Sequence, residues 1–259
     1  MVQYHEDTRE DGGAAMWNVI WRERVGSTNE ICKELAAQGA DNVAVAAREQ
    51  TAGKGRRGRT FRSPEGGLYL SALWRGCGGE ALLRVTPMAA VAVCRAVERL
   101  CGAACGIKWC NDVVLNGRKL CGILTECGLR PDGGAEWLVV GIGVNVGQAG
   151  FPADIADMAT SLAMEGFSVE REALAEAILE ELEALRSALE HPGAWREDYR
   201  TRCVNLGRPV RVLRGDTARE ALALEIDEAF GLTVQYEDGS QETVRSGEVS
   251  VRGLYGYIE

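Results

Sequence analysis

Gly53-Lys54-Gly55-Arg56-Arg57-Gly58-Arg59, running on through Thr60-Phe61-Arg62-Ser63-Pro64-Glu65-Gly66, is the stretch on which the fold assignment turns. As a string of letters it satisfies G-x-G-x-x-G. A dinucleotide-binding Rossmann turn needs a helix directly after that string, with its last glycine packed closely on a strand. Residues 59–66 do not read as a helix, so a doubly wound nucleotide fold is set aside. A Walker A loop fails too, because Arg48 stands where its first glycine belongs and Gly55 follows Lys54 instead of Ser or Thr. What remains is a loop with five cations, Lys54, Arg56, Arg57, Arg59 and Arg62, within nine residues, interleaved with Gly53, Gly55 and Gly58. Glycine lets a backbone approach a ligand closely or adopt positive φ. Guanidinium groups form paired hydrogen bonds to phosphate or carboxylate. Such a loop suits the enclosure of an anion, although taken alone it fits a solvated basic surface loop, RNA-binding included, equally well.

The rest of the chain makes that loop unusual. The 259 residues carry a net charge of −9, so any anion site is a local concentration of cations working against the mean field. The hydrophobic fraction of 46% and charged fraction of 26% are those of a soluble globular protein, not a disordered or fibrous one. Nine cysteines without a framework spacing suit reduced thiols in a cytoplasm better than disulfides. No C-x₂-C pair occurs and there are two histidines, which argues against structural zinc. His5 lies in an acidic stretch and His191 at a helix end, so a Ser-His-Asp hydrolase is not favoured. Neither a signal-peptide core nor an apolar run of membrane-spanning length is visible.

Periodicity gives the organisation. Residues 1–15 are polar and acidic and read as a disordered tail. Strands are expected at 17–21, 43–47, 68–74 and 137–146. Ser27-Thr28-Asn29-Glu30 fits a capping box, with Ser27 as N-cap and Glu30 at N3, opening a helix that Gly39 ends. Thr86-Pro87 is expected to open a second helix reaching residue 100, with Pro87 at its first position. Residues 107–115 read as one strand, joined through Asn116-Gly117 to a second over 119–126 in a hairpin. Leu174, Ile178, Leu182, Leu185 and Leu189 share one helix face, and that helix stops before Pro192-Gly193. Beyond Cys203 short strands about 210–212, 222–226, 232–236, 242–244 and 249–251 indicate a small all-β barrel. The class is α+β: a 16–203 domain followed by a 204–259 barrel.

Several other segments point toward a ligand, each with an ordinary alternative. Ser27-Thr28-Asn29 sits where a helix start can hold a polar group, or merely caps it. Lys108-Trp109-Cys110-Asn111-Asp112 sets a lysine, an indole and a carboxylate at a strand end, an arrangement often incidental. Gly141 and Gly143 interrupt an apolar strand, which marks close approach of a ligand or another backbone, or just packing.

In this order and spacing the segments resemble the biotin protein ligase family. Its hallmarks are a Ser-Thr-Asn triplet, a Gln before a Gly-Arg-Gly-Arg-Arg-Gly-Arg-like loop, Lys-Trp-Pro-Asn-Asp, Lys-Leu-x-Gly-Ile-Leu and Gly-Ile-Gly-x-Asn. This chain has Ser27-Thr28-Asn29, Gln50, the basic loop, Lys108 to Asp112, Lys119-Leu120-Cys121-Gly122-Ile123-Leu124 and Gly141-Ile142-Gly143-Val144-Asn145. It departs in Lys54, which keeps the charge of the usual Arg but not its planar fork, and in Cys110, where the family has Pro. The resemblance implies a mixed-sheet catalytic domain of the class II synthetase and biotin/lipoate ligase type, followed by an SH3-like barrel. It also implies the enzyme-only form, without the family's N-terminal DNA-binding domain.

The implied reaction joins biotin to ATP as biotinyl-adenylate and then passes biotin to a lysine of a biotin carboxyl carrier protein. Lys108 and Arg56 are implied to be catalytic. Ser27, Thr28, Asn29, Gln50, Gly53, Gly55, Arg56, Arg57, Lys108 and Gly122 are implied to hold biotin. Arg56, Arg57, Trp109, Asn111, Asp112, Lys119, Asn145 and Arg252 are implied to meet the nucleotide, with Mg²⁺ accompanying ATP near Asp112. No prosthetic group, DNA or membrane is expected, and a homodimer through the sheet, common in the family, is left open. The alternatives are a lipoate or octanoate ligase of the same fold, and a non-catalytic nucleotide- or RNA-binding protein.

Overall fold

The computed structural model describes residues 17–245 and 250–253; the 1–15 tail lies outside them. Seven strands form one sheet in the order β1-β2-β3-β7-β6-β5-β4. They are β1 (Asn18–Val25), β2 (Val43–Gln50), β3 (Leu68–Cys77), β4 (Gly106–Lys108), β5 (Asp112–Leu115), β6 (Arg118–Leu129) and β7 (Ala135–Val144). The β1–β2 pair is parallel, joined through helix α1 (Thr28–Ala37), and the other pairs are antiparallel. A mixed sheet follows, as the class requires.

Strand alternation divides the apolar residues between two faces. Ala44 and Ala46 of β2, Leu70, Ala72 and Trp74 of β3, and Leu138, Val140 and Ile142 of β7 join the main core. That core is completed by α2 (Gly79–Cys101) and α3 (Arg171–Arg186), which pack on each other. The intervening residues Val45, Leu73 and Val139 face the other way, where Cys32 and Ala36 of α1 cover them. Helix α1 covers one end of that face only. The rows toward the other end, Tyr69–Gly143–Gly122 and Ser71–Gly141–Leu124, are left for something else.

Four expectations change. Helix α2 starts at Gly79, so Pro87 lies inside it rather than at its first position. The run Ala81, Val85, Met88, Ala89 and Val93 is buried. The carbonyl that Pro87 deprives of a helical donor is that of Leu83, a half-exposed residue. Residues 107–115 are not one strand: the chain turns at Trp109-Cys110-Asn111, so that Lys108 of β4 faces Asp112 of β5. Ser27 is the N-cap of α1 but makes no side-chain capping bond, and Glu30 instead meets Lys33 and Lys54. A further helix, α4 (Gly193–Arg202), follows Pro192 where no element was expected. By contrast, Asn116 and Gly117 both take positive φ, 48° and 76°, between β5 and β6, as the hairpin reading requires.

The terminal segment folds into an antiparallel sheet ordered β11-β10-β9-β8-β12. Its strands are β8 (Pro209–Arg214), β9 (Thr217–Ile226), β10 (Leu232–Tyr236), β11 (Gln241–Val244) and β12 (Ser250–Gly253). This sheet is locked to α4 by aromatic packing. The Phe230 ring stacks on Trp195 of α4 at 4.7 Å and meets the Tyr199 edge at 5.3 Å. Its carbonyl accepts from Trp109 Nε1 at 2.9 Å. Removing the ring with Phe230→Ala is expected to cost roughly 3–5 kcal/mol. Urea denaturation measures that loss directly.

Candidate active site

The two uncovered rows of the sheet floor a cavity of about 360 Å³. Its position follows from side-chain size. Gly141 and Gly143 are two apart in β7, so both point to this face while Ile142 points into the core. A Cβ on Gly143 would overlap the Phe61 ring, and one on Gly141 would overlap the Asn29 amide. Gly122, beside Gly143 on β6, also lies under Phe61. The close approach expected at these glycines is therefore made by two side chains that themselves line the cavity.

The basic loop forms the opposite wall. It leaves β2 as a two-armed finger, with bridges Gln50↔Ser63 and Lys54↔Thr60. Phe61 N donates to Gly53 O at 2.9 Å and Gly55 N to Arg59 O at 2.7 Å. At the tip Arg57 adopts φ 58°, turning Arg56–Gly58 through one short turn. Three contacts hold the finger in place. Lys54 Nζ meets Glu30 Oε1 at 2.5 Å, Arg62 meets Asp154 at 3.0 Å, and Arg56 Nη1 donates to Asn111 Oδ1 at 3.0 Å. Arg56 also donates to Cys110 Sγ at 2.8 Å, so the thiol at the family's proline position touches the loop. The Glu30 carboxyl is held below the usual carboxylate range by hydrogen bonds from Lys33 and Lys54. That tie is present above the ordinary Glu value and is lost only as pH falls through the depressed one.

Lys108 is buried at the end of β4 and lines the cavity. The turn after it is anchored away from the cavity, with Trp109 N donating to Asn205 Oδ1 at 2.7 Å. Lys119 Nζ pairs with Asp112 Oδ1 at 2.7 Å and lies 5.7 Å from the Phe61 ring centre.

The polar end is a directed chain of hydrogen bonds. Gln50 Nε2 donates to Ser63 Oγ at 3.0 Å, and Gln50 Oε1 accepts from Thr28 N at 2.9 Å and Thr28 Oγ1 at 3.1 Å. Ser71 Oγ lies 2.7 Å from Thr28 Oγ1 and 2.6 Å from Asn29 Oδ1. Asn29 Nδ2 donates to Glu126 Oε2 at 2.8 Å. Ser27, Thr28 and Asn29 are all buried.

The structure thus gathers Ser27, Thr28, Asn29, Gln50, Gly55, Arg56, Arg57, Lys108, Trp109, Asn111, Asp112, Lys119 and Gly122 around one cavity. Two expected residues are not on its wall. Gly53 is where the loop passes Phe61 O and Ser63 Oγ too closely for a Cβ. Asn145 is buried and donates to Thr160 O at 2.9 Å, tying down the chain beyond β7. Arg252 pairs through its β12 backbone with Arg211, and its side chain lies outside the described residues. Phe61, Tyr69, Ser71 and Glu126 were missed. A lone serine within Leu68-Tyr69-Leu70-Ser71-Ala72-Leu73 was the available signal for Ser71.

The thiols take no part in a metal or nucleophile reading. All nine are unbridged. Burial pushes Cys32 and Cys105 up to about 12 and Cys203 up to about 11. Among the described residues no group of three or more His, Cys, Asp or Glu is placed to hold a metal. No helix there is long and apolar enough to cross a membrane.

Fold and cavity together define an α+β domain of the biotin/lipoate type. Residues 21–145 match the Biotin/lipoate A/B protein ligase family and residues 206–252 match the Biotin protein ligase C terminal domain. The chain is 34% identical over 248 residues to the biotin–[acetyl-CoA-carboxylase] ligase of Mycobacterium tuberculosis, covering 88% of this chain and 89% of that one. It superposes on the biotin protein ligase from Aquifex aeolicus in complex with biotin and ATP with a TM-score of 0.78 at 30% identity, covering 91% and 99% of the two chains. The chain belongs to the biotin protein ligase family. It is 37% identical over 171 residues to the bifunctional ligase/repressor BirA of Bacillus subtilis, covering 62% of this chain and 51%, about half, of that relative's length.

The glycine floor gives a direct test. Gly143→Ala, which drives a methyl into the Phe61 ring, is expected to cost about 1–3 kcal/mol by overpacking. Gly150→Ala, with nothing near its added Cβ, should stay within about 0.5 kcal/mol of the parent. Equal unfolding midpoints for the two would remove the close-packing account of the floor.

Proposed function

We propose that this chain is a biotin protein ligase in the catalytic sense: it forms biotinyl-5'-AMP from biotin and ATP and transfers biotin to a lysine of a biotin carboxyl carrier protein. One observation carries the reading. The cationic finger, Lys108 and the Ser27-Thr28-Asn29 triplet, far apart in sequence, wall the same cavity.

In the first step a biotin carboxylate oxygen attacks the α-phosphorus of ATP, and pyrophosphate leaves. Two anions must meet, so the barrier depends on preorganised positive charge and alignment. Lys108 and Arg56 supply that charge in a partly dry site, where its effect is larger than in water. Ser27, Thr28, Asn29 and Gln50 hold the polar ring end of biotin. The finger, with Arg56, Arg57 and its glycine backbone, covers the acyl-adenylate and keeps water from hydrolysing it. In the second step the carrier amine attacks the acyl carbon, the amide forms with loss of a proton, and AMP departs.

Mg²⁺ enters as the ion of the co-substrate. It is usually held by one or two carboxylates together with phosphate oxygens and water. Asp112, paired with Lys119 at the cavity, fits the role of that carboxylate, with Asn111 beside it. The ion would neutralise phosphate charge there. The expected Trp109 contribution to the nucleotide is confined to its ring, because its N–H is spent on Phe230 O.

A lipoate ligase of the same fold is disfavoured by the hydrogen-bonding end of the cavity and by the matched biotin-ligase terminal domain. We divide the chain near Cys203 into catalytic and terminal domains and place it in the cytoplasm, a reading supported by its unbridged thiols.

Incubation with ATP, biotin and an apo-carrier domain should label the carrier for streptavidin, and lipoate in place of biotin should not. Lys108→Ala is expected to slow adenylate formation by about a hundredfold or more while leaving the melting temperature unchanged. A near-parental rate would take Lys108 out of the mechanism. Arg56→Gly should release adenylate and label bystander lysines, and retention of adenylate by that variant would end the covering role of the finger.

A further inference from the structure

The Asn29 amide at the cavity's polar end has a fixed orientation, because both of its N–H groups are already addressed. Nδ2 donates to Glu126 Oε2 at 2.8 Å and to Leu124 O at 3.4 Å. A carboxylate and a peptide carbonyl only accept, so exchanging the amide's nitrogen and oxygen would set acceptors against each other. Glu126 is itself held, its other oxygen taking Lys33 Nζ at 3.0 Å. Oδ1 therefore faces Ser71 and lies against Gly141, whose missing Cβ makes room for it, on a residue that lines the cavity.

Counting hydrogens along the chain shows what is missing there. Ser63 Oγ donates to Phe61 O, Gln50 Nε2 donates to Ser63, and Thr28 Oγ1 donates to Gln50 Oε1. Ser71 carries one hydroxyl hydrogen and has two acceptors in reach, Thr28 Oγ1 and Asn29 Oδ1. Along this chain acceptor capacity exceeds the supply of hydrogens, so Asn29 Oδ1 is complementary to a ligand that brings its own N–H.

We propose that Glu126 is a positioning residue that sets specificity for the acid: by holding Asn29 Nδ2 it keeps Asn29 Oδ1 as an acceptor for a ureido N–H of biotin. This rests on the ligase reading above. An acid such as lipoate, with no N–H at its ring end, gains nothing from that acceptor. Glu126 acts through Asn29.

The test is steady-state pyrophosphate release by the full chain with Glu126→Gln, with apo-carrier domain in excess to take up each adenylate. The substitution is nearly isosteric, abolishes the Lys33 ion pair, and offers Asn29 an N–H that lets its amide turn over. The KM for biotin is expected to rise about tenfold or more, since a site built to bond an N–H discriminates strongly once its acceptor is lost. The KM for ATP should stay within about twofold, the mark of a lesion confined to acid binding. Adding Asn29→Asp to Glu126→Gln restores an acceptor that cannot turn into a donor, with the introduced amide now donating to it. The double variant should recover most of the biotin KM.

An unchanged biotin KM in Glu126→Gln overturns the proposal. So does a joint rise of both KM values with a lowered melting temperature that the second substitution fails to restore. A parent protein that releases no pyrophosphate in response to biotin would overturn the ligase reading and this proposal together; an active parent with an indifferent Glu126→Gln overturns this proposal alone.

Discussion

A strand shows alternate residues to opposite sides, and the site depends on what β7 does with that constraint. Val140 and Ile142 of this strand enter the core beneath α2, while Gly141 and Gly143 contribute no side chain to the other face. That missing volume is what Asn29 and Phe61 fill from above. Larger residues at either position would raise the floor and displace the amide or the ring. The cationic finger would then close over a shallower space. The sheet thus carries the hydrophobic core and shapes the cavity through the same residues, one parity for each task.

Electrostatics adds a second layer. In a chain with a net charge of −9, three of the loop's five cations, Lys54, Arg62 and Arg56, are tethered individually by Glu30, Asp154 and the Asn111 amide. Exposed ion pairs of this kind each contribute little to stability. Their effect is to hold the finger near the sheet without a large stabilisation, which suits the covering role proposed for it. Lys108 is handled differently. It is buried and approaches from the rigid sheet, so its position does not follow the finger.

What could be read in the sequence was local. Positive φ at Asn116-Gly117, the leucine spacing of α3 and the alternation of the strands each depend on neighbours a few residues away, and each kept its meaning in the fold. The ordered motifs also placed most cavity residues. The misreadings were settled by distant contacts. Pro87 looked like a helix start because nothing local shows that Ala81 and Val85, ahead of it, are buried in the core. The turn at Trp109-Cys110-Asn111 was hidden because its anchors, Asn205 and Phe230, lie about a hundred residues away. Helix α4 has a weakly segregated, charged sequence, and it is stabilised by burying Trp195 and Tyr199 against Phe230. Glu126 was passed over because a charged residue in a half-exposed strand is ordinary until its partner is seen.

The anchoring of Trp109 makes the terminal sheet part of the machinery that places the cavity's buried ammonium. The indole N–H ends on a carbonyl of the terminal segment, and the peptide N–H ends on a side chain just ahead of β8. The terminal sheet is therefore no detachable appendage. A cut in the polypeptide between Asn205 and Phe230 would leave the sheet and its glycine floor whole, yet would loosen the hinge on which the charged arm from β4 is mounted. Alterations around Phe230 would then be felt on the cavity wall, through Trp109.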